Sequence, residues 1–173
     1  MSDKILNKVA ESGIITLDLE QYYPKTAFEV FDLKDFLFMG LILKEKDFRQ
    51  SLKSADLTRF RDKYALILCT TDAVIPMWAY MLVASALQGI AKESFFAVEN
   101  QAVETLMLRE IEKIDNNLYD DKRVVVKGCG EKQIPAAAYV AITNKLRPVA
   151  KSIMYGEPCS TVPVFKKERV VSA

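Results

Sequence analysis

The stretch GCGEKQIPAAAYV, residues 128–140, follows the apolar run VVV, and CTTDAVIPMWAYM, residues 69–81, follows ALIL with nearly the same layout. A shift of fifty-nine residues aligns 60–87 with 119–146 without a gap. Phe60 then meets Tyr119, Asp62 meets Asp121, Lys63 meets Lys122 and Asp72 meets Glu131. Ile75-Pro76 meets Ile134-Pro135, Ala79-Tyr80 meets Ala138-Tyr139, and Leu87 meets Leu146. Each copy reads as a turn, a buried strand, an acidic residue near a helix start, and a proline in the first helical turn. A carboxylate there is favoured by the helix dipole, and proline lacks an N–H that the first turn does not use. Two βα units of one sheet drift towards such patterns without common origin; the shared IPxxAY is what argues for a duplication.

Working outward, ALILC (65–69), SFFAV (94–98) and VVVKG (124–128) are short apolar runs without clean alternation. Such runs suit strands covered on both faces, as in a parallel sheet. Helical segments follow each of them, at about 73–90, 100–114 and 133–146. The expected class is therefore α/β: a mixed, mainly parallel sheet with helices on both faces. GIITLDLEQYY and AFEVFDL alternate with period two, and Pro24-Lys25-Thr26 between them predicts an N-terminal antiparallel hairpin. Helices are expected at 3–11 and, broken near Gly40, from Asp32 to about Ser54. VPVFK (162–166) reads as one more strand, antiparallel at an edge. With no linker-like or low-complexity segment, residues 1–173 are read as a single α/β domain.

Bulk properties narrow the function classes. Net charge is +1, from 24 basic and 23 acidic side chains, without the surplus of a nucleic-acid binder. The stretch MSDKILNKVAES lacks the apolar centre of a signal peptide. No apolar run approaches the roughly 20 residues that span a bilayer; AVIPMWAYMLVASAL reads as a buried helix. A cytoplasmic protein without nucleic-acid or membrane partners is expected, and a homo-oligomer is compatible with the composition. There is no histidine, which removes Ser-His-Asp and Cys-His catalysis and His-containing zinc sites.

Three cysteines remain as the chemical candidates. Cys69 and Cys129 stand where a parallel strand ends and its helix follows, the edge at which open α/β sheets bind ligands. They are one residue out of step in the repeat, Cys69 opposite Gly128 and Cys129 opposite Thr70, so neither is a copied structural position. Cys159 lies in YGEPCSTVP, which reads as a fixed loop. Convergence of Cys69, Cys129 and Cys159 would suit an iron–sulfur cluster with one exchangeable iron, or zinc. The alternatives are a single reactive thiol and inert packing, since cysteine is a common small buried hydrophobe. Lys127 in VVVKGC is costly if buried alone, so pairing with Glu131 or Asp72, or an exposed position, competes with a catalytic role. Cys129 with Lys127 or Glu131 beside it is the enzymatic reading. Asp72 and Glu131 read first as helix-start charges. GCG is only loosely like a phosphate loop, and KKER is a solvated tail.

ITLDLEQYYP, LILKEKDFR, DKYALILCTTDAVIPMWAYMLVASALQ, DKRVVVKGC and RPVAKSIMYGEPCSTVP together resemble the domain-of-unknown-function 2480 family of Bacteroidota, up to about Lys167. The resemblance implies no activity and carries no catalytic residues across. It does imply iron–sulfur assembly proteins of the SUF type as partners, and hence an accessory role in cluster or sulfur handling. A small-molecule-binding protein or thiol-dependent enzyme at the same edge, and an interaction module with structural cysteines, are the competing functions.

Overall fold

Strand propensity among the described residues is concentrated in seven short runs, and all but the last find a partner far along the sequence. The computed structural model describes residues 13–128, 130–157 and 160–168; the helix expected at 3–11 lies outside them. The strands are β1 (Ile14–Asp18), β2 (Phe28–Asp32), β3 (Tyr64–Leu68), β4 (Glu93–Phe95), β5 (Arg123–Lys127), β6 (Ser152–Glu157) and β7 (Ser160–Lys166). Four α-helices are described: α1 (Glu45–Ser54), α2 (Met77–Leu87), α3 (Glu99–Glu112) and α4 (Ala136–Leu146). No helix among the described residues is long and apolar enough to cross a membrane.

The α/β class and mainly parallel pairing are as the sequence predicts, but the strands divide between two sheets, ordered β1-β5-β6-β7 and β2-β3-β4. Every pairing is parallel except β6 with β7. The N-terminal antiparallel hairpin is therefore corrected. β1 lies parallel to β5, with Ile14 opposite Arg123, and β2 lies parallel to β3, with Phe28 opposite Tyr64. The reason is local: Asp18 and Asp32 each end a strand by accepting the N–H two residues on, from Glu20 and Lys34, and so open a 3₁₀ turn. Such a turn carries the chain onward instead of reversing it. The one antiparallel pair sits at the other end of the chain, where VPVFK becomes part of the edge strand β7. Pro163 is tolerated there because an edge strand need not donate on its outer side, and a register shift at Ile153/Met154 lies opposite it. Much of Tyr155–Pro163, read as a loop, is strand.

The chain divides into two compact units, one formed by residues 1–23 with 104–173 and the other, Pro24–Val103, inserted within it. Their element orders match. The inserted unit runs β2, 3₁₀ turn, α1, 3₁₀ turn, β3, α2, β4 and the first turn of α3; the outer unit runs β1, 3₁₀ turn, the rest of α3, 3₁₀ turn, β5, α4, β6, and adds β7. From α1 to β4 the offset stays at fifty-nine residues, so the duplicated layout extends well beyond 60–87 and 119–146. Buried Phe48 and Leu52 correspond to buried Met107 and Ile111; Ala79, Val83 and Leu87 correspond to Ala138, Ile142 and Leu146. Even the loop bonds repeat: Asp62 and Asp121 both take positive φ (59° and 50°) and donate their N–H groups to Ile90 and Val149. Burial is what holds these positions alike, since a core residue changed by one methylene is felt by its neighbours.

Two boundaries differ from the periodicity. Helices α2 and α4 begin after Pro76 and Pro135, which serve as N-caps, because the residue before a proline is pushed out of the helical region. Asp72 and Glu131 thus stand in exposed loops five residues ahead of the helices. Between Asp32 and Ser54 only α1 and a 3₁₀ turn are helical; Met39 and Gly40 take positive φ and stop the helix.

Candidate functional site

A parallel β-sheet presents its ligand edge where strands end and helices begin. The duplication supplies two such edges, and their chemistry differs. In the inserted unit, Asp32 ends β2 and is 9% exposed. Its carboxylate accepts from the Lys34 N–H (3.0 Å), the Thr70 N–H (3.1 Å) and the Thr70 hydroxyl (2.5 Å), and Lys34 Nζ lies at 3.3 Å. Burial works against the charge, but the Thr70 and Lys34 hydrogen bonds outweigh it and hold the carboxyl below the usual 3.8. Every strong acceptor lobe is engaged, so this edge is a closed clamp between β2 and the loop after β3.

In the outer unit Asp18 stands in Asp32's place, but Glu20 replaces Lys34, and Lys127 replaces Leu68. Position 129, the counterpart of Thr70, is a cysteine. Lys127 is half-buried and bonds Glu157 at 3.1 Å, joining the ends of neighbouring strands β5 and β6. The Glu157 hydrogen bond and charge, opposed by burial and helped further by Asp18 and Glu20, raise the Lys127 pKa above its ordinary value. The group is held firmly as an ammonium. Glu20 reaches across to accept the Lys132 N–H at 3.2 Å, and Lys132 Nζ lies 5.4 Å from the Tyr23 ring centre. A Cβ at position 130 would collide with the Glu20 carboxylate, and one at 128 with the Tyr139 hydroxyl, which donates to the Gly128 carbonyl at 3.1 Å. Gly128 and Gly130 therefore serve close approach of side chains to backbone at this edge. Glu157 bonds the ammonium, Asp18 and Glu20 act on it through their charge, and these three carboxylates make the edge net acidic.

Beside it lies an apolar groove of about 360 Å³, lined by Val126, Tyr139, Met154, Tyr155 and Val164 among others. Tyr139 and Tyr155 meet edge to face at 5.7 Å, as Tyr80 and Phe96 do at 4.9 Å in the other unit. The aromatic pair is common to both copies; the acidic cluster is not.

The sequence-derived candidates distribute as follows. Cys69 is a free, half-buried thiol at the end of β3, 3.6 Å from the Thr71 carbonyl. Burial first, and then the charge of Cys69 when ionised, push the neighbouring Tyr80 hydroxyl upward. Cys129 and Cys159 lie outside the described residues. Among the described residues no group of three or more Cys, Asp or Glu side chains is arranged to hold a metal ion. Glu131 and Asp72 are exposed. The partner of Lys127 is Glu157, not the Glu131 or Asp72 that the sequence suggested. Asp18, Glu20 and Glu157 were missed; the repeated Asp-Leu at 18–19 and 32–33 is the one sequence signal that marks the first of them.

These features define an α/β protein with a duplicated parallel module, one closed strand end and one acidic strand end bordered in sequence by cysteines. The chain belongs to the family described as Protein of unknown function (DUF2480), whose model matches residues 3–167. Neither the search of curated proteins nor that of solved structures found a match.

Proposed function

We propose that the chain is an accessory protein that binds a metal ion or an iron–sulfur cluster at the carboxyl edge of the β1-β5-β6 sheet, with Cys129 and Cys159 as thiolate ligands. The observation that supports this is the Lys127–Glu157 ion pair. It ties the ends of β5 and β6 together, and each partner stands two residues before one of these cysteines. The two cysteines are thirty residues apart in the sequence, and the residues two places before each are in contact. The inserted unit carries Thr70 at the position equivalent to Cys129, so that thiol is not required by the shared framework. Asp18, Glu20 and Glu157 give the edge a negative field that favours a cation. Zinc and iron–sulfur clusters both accept thiolate ligands. Iron–sulfur assembly proteins are the partners in this reading.

An enzyme using Lys127 as a base is disfavoured, because its charge partners stabilise the protonated form. Protein purified without oxygen, measured for bound iron, zinc and sulfide and for visible absorbance, tests the proposal. Cys129→Ala and Cys159→Ala should each abolish the bound metal. Metal-free protein that takes up neither zinc nor a reconstituted cluster would defeat it. Cys69→Ala in the same assay reports on the third thiol of the sequence-derived set.

A further inference from the structure

The two modules also differ at the opposite, amino-terminal end of their sheets. In the inserted unit this end is filled by aromatic rings: Tyr64 of β3 lies between Phe28 (5.4 Å) and Phe95 (5.9 Å), and Lys92 Nζ stands 4.9 Å from the Tyr64 ring centre. Strand pairing sets Phe28 directly opposite Tyr64 and Phe95 diagonally, two residues beyond Tyr64's partner Glu93, and the same register in the outer unit holds Ile14, Arg123 and Met154. With no ring between the flanking side chains, a groove of about 390 Å³ opens there. Its apolar walls are Ile14, Met154 and Phe165, and Arg147 lies 3.6 Å above the Phe165 ring. Its polar lining is half-buried Ser152 and four exposed cations, Arg123, Lys151, Lys166 and Lys167.

Charge is as one-sided here as it is acidic at the other end. Lys151 has Asp121 at 3.7 Å, and Glu168 follows Lys167 in the chain. Among the described residues no carboxylate pairs with Arg123, Lys166 or Lys167. A chain whose overall charge is +1 has thus concentrated cations around a slot that its sister copy fills with a tyrosine ring. Guanidinium groups match the paired oxygens of phosphate and carboxylate, and the lysines add attraction over a longer range.

We propose that this groove is a binding site for a small aromatic anion, a flat ring bearing a phosphate or carboxylate. The ring takes the place that Tyr64 occupies in the inserted unit, and the anionic group meets Arg123 at the mouth. The site is separate from the acidic strand end and does not depend on any metal there.

Titration of the full chain with naphthyl phosphate, followed by calorimetry and by amide shifts of Ile14, Arg123 and Met154, tests this. Saturable binding is expected, at least about tenfold tighter than inorganic phosphate or naphthol alone, and weakened by added salt. Arg123→Tyr restores the sister copy's ring, and should cost at least about tenfold in affinity while the fold is kept. Arg123→Gln removes the charge without filling the groove and should lose binding similarly, which guards against a misfolded first variant. Undiminished binding in both variants overturns the proposal, as does inorganic phosphate binding as tightly as naphthyl phosphate. Absence of any saturable shift in the unaltered protein overturns it too.

Discussion

The inserted and outer units agree where side chains are sealed and disagree where strands end. Val83 and Ile142, or Leu87 and Leu146, are interchangeable answers to one packing demand. At the strand ends the same framework carries a satisfied Asp32 in one copy and an acidic cluster around Lys127 in the other. At the opposite sheet end a tyrosine ring in one copy gives way to an arginine and a groove in the other. A duplicated chain thereby separates two kinds of constraint: shared positions report what holds the module up, and divergent ones report what a single copy has been freed to do.

The comparison is tested most severely in the core. Leu87→Ala and Leu146→Ala remove equivalent fully buried side chains, and each should cost about 3 kcal/mol by chemical denaturation. Unequal losses, with one near zero, would break the equivalence of the two helices. Next comes the clamp. Asp32→Ala strands the Thr70 and Lys34 donors and should cost about 2–3 kcal/mol. Asp18→Ala, at the half-buried counterpart, should cost about 1 kcal/mol, the worth of a capping side chain.

Acid sharpens the same contrast. Because the Asp32 pKa is depressed on folding, the unfolded chain binds more protons there. The stabilisation is complete above the ordinary 3.8 and is lost as pH falls through the lower folded value. Asp32→Asn should therefore flatten the decline in unfolding midpoint below about pH 4. Exposed Asp56, shifted the same way mainly by the Thr58 side chain, leaves a residual slope.

A milder test concerns the tyrosine contact. Gly128→Ala sets a methyl group against the Tyr139 hydroxyl and should cost about 1–2 kcal/mol, part of it recovered in the double variant with Tyr139→Phe. The smallest effect belongs to Lys127→Met. This ion pair is solvated, so no resolvable change in the unfolding midpoint is expected, although the residue sits at the centre of the acidic edge.

Much of the architecture was legible beforehand for physical reasons. β3, β5, α2 and α4 could be read because apolar runs and helical spacing are local signals, and the repeat made each copy a check on the other. The hairpin was misread because alternation in IITLD and FEVFD identifies strands but not their partners, and the partners lie 36 to 109 residues away. β6 was missed because Gly156 and Pro158 look like loop residues, and only Ile153 and Gly156 of the strand are buried. At the site, the position of Lys127 at a strand end was foreseen, whereas its bond to Glu157 was not. Nothing in one sequence announces an ion pair across adjacent strands when thirty residues intervene. The Asp32–Thr70 clamp is hidden for the same reason.

The insertion of one unit within the other has a consequence for synthesis. β1 leaves the ribosome well before its partner β5, which begins 109 residues later, after the whole of Pro24–Val103. At typical translation speeds the nascent strand Ile14–Asp18 waits on the order of 5–20 s for a mate. The inserted unit, complete by then, can close first, leaving the opening strand as a loose thread that only the arrival of VVV knots in place.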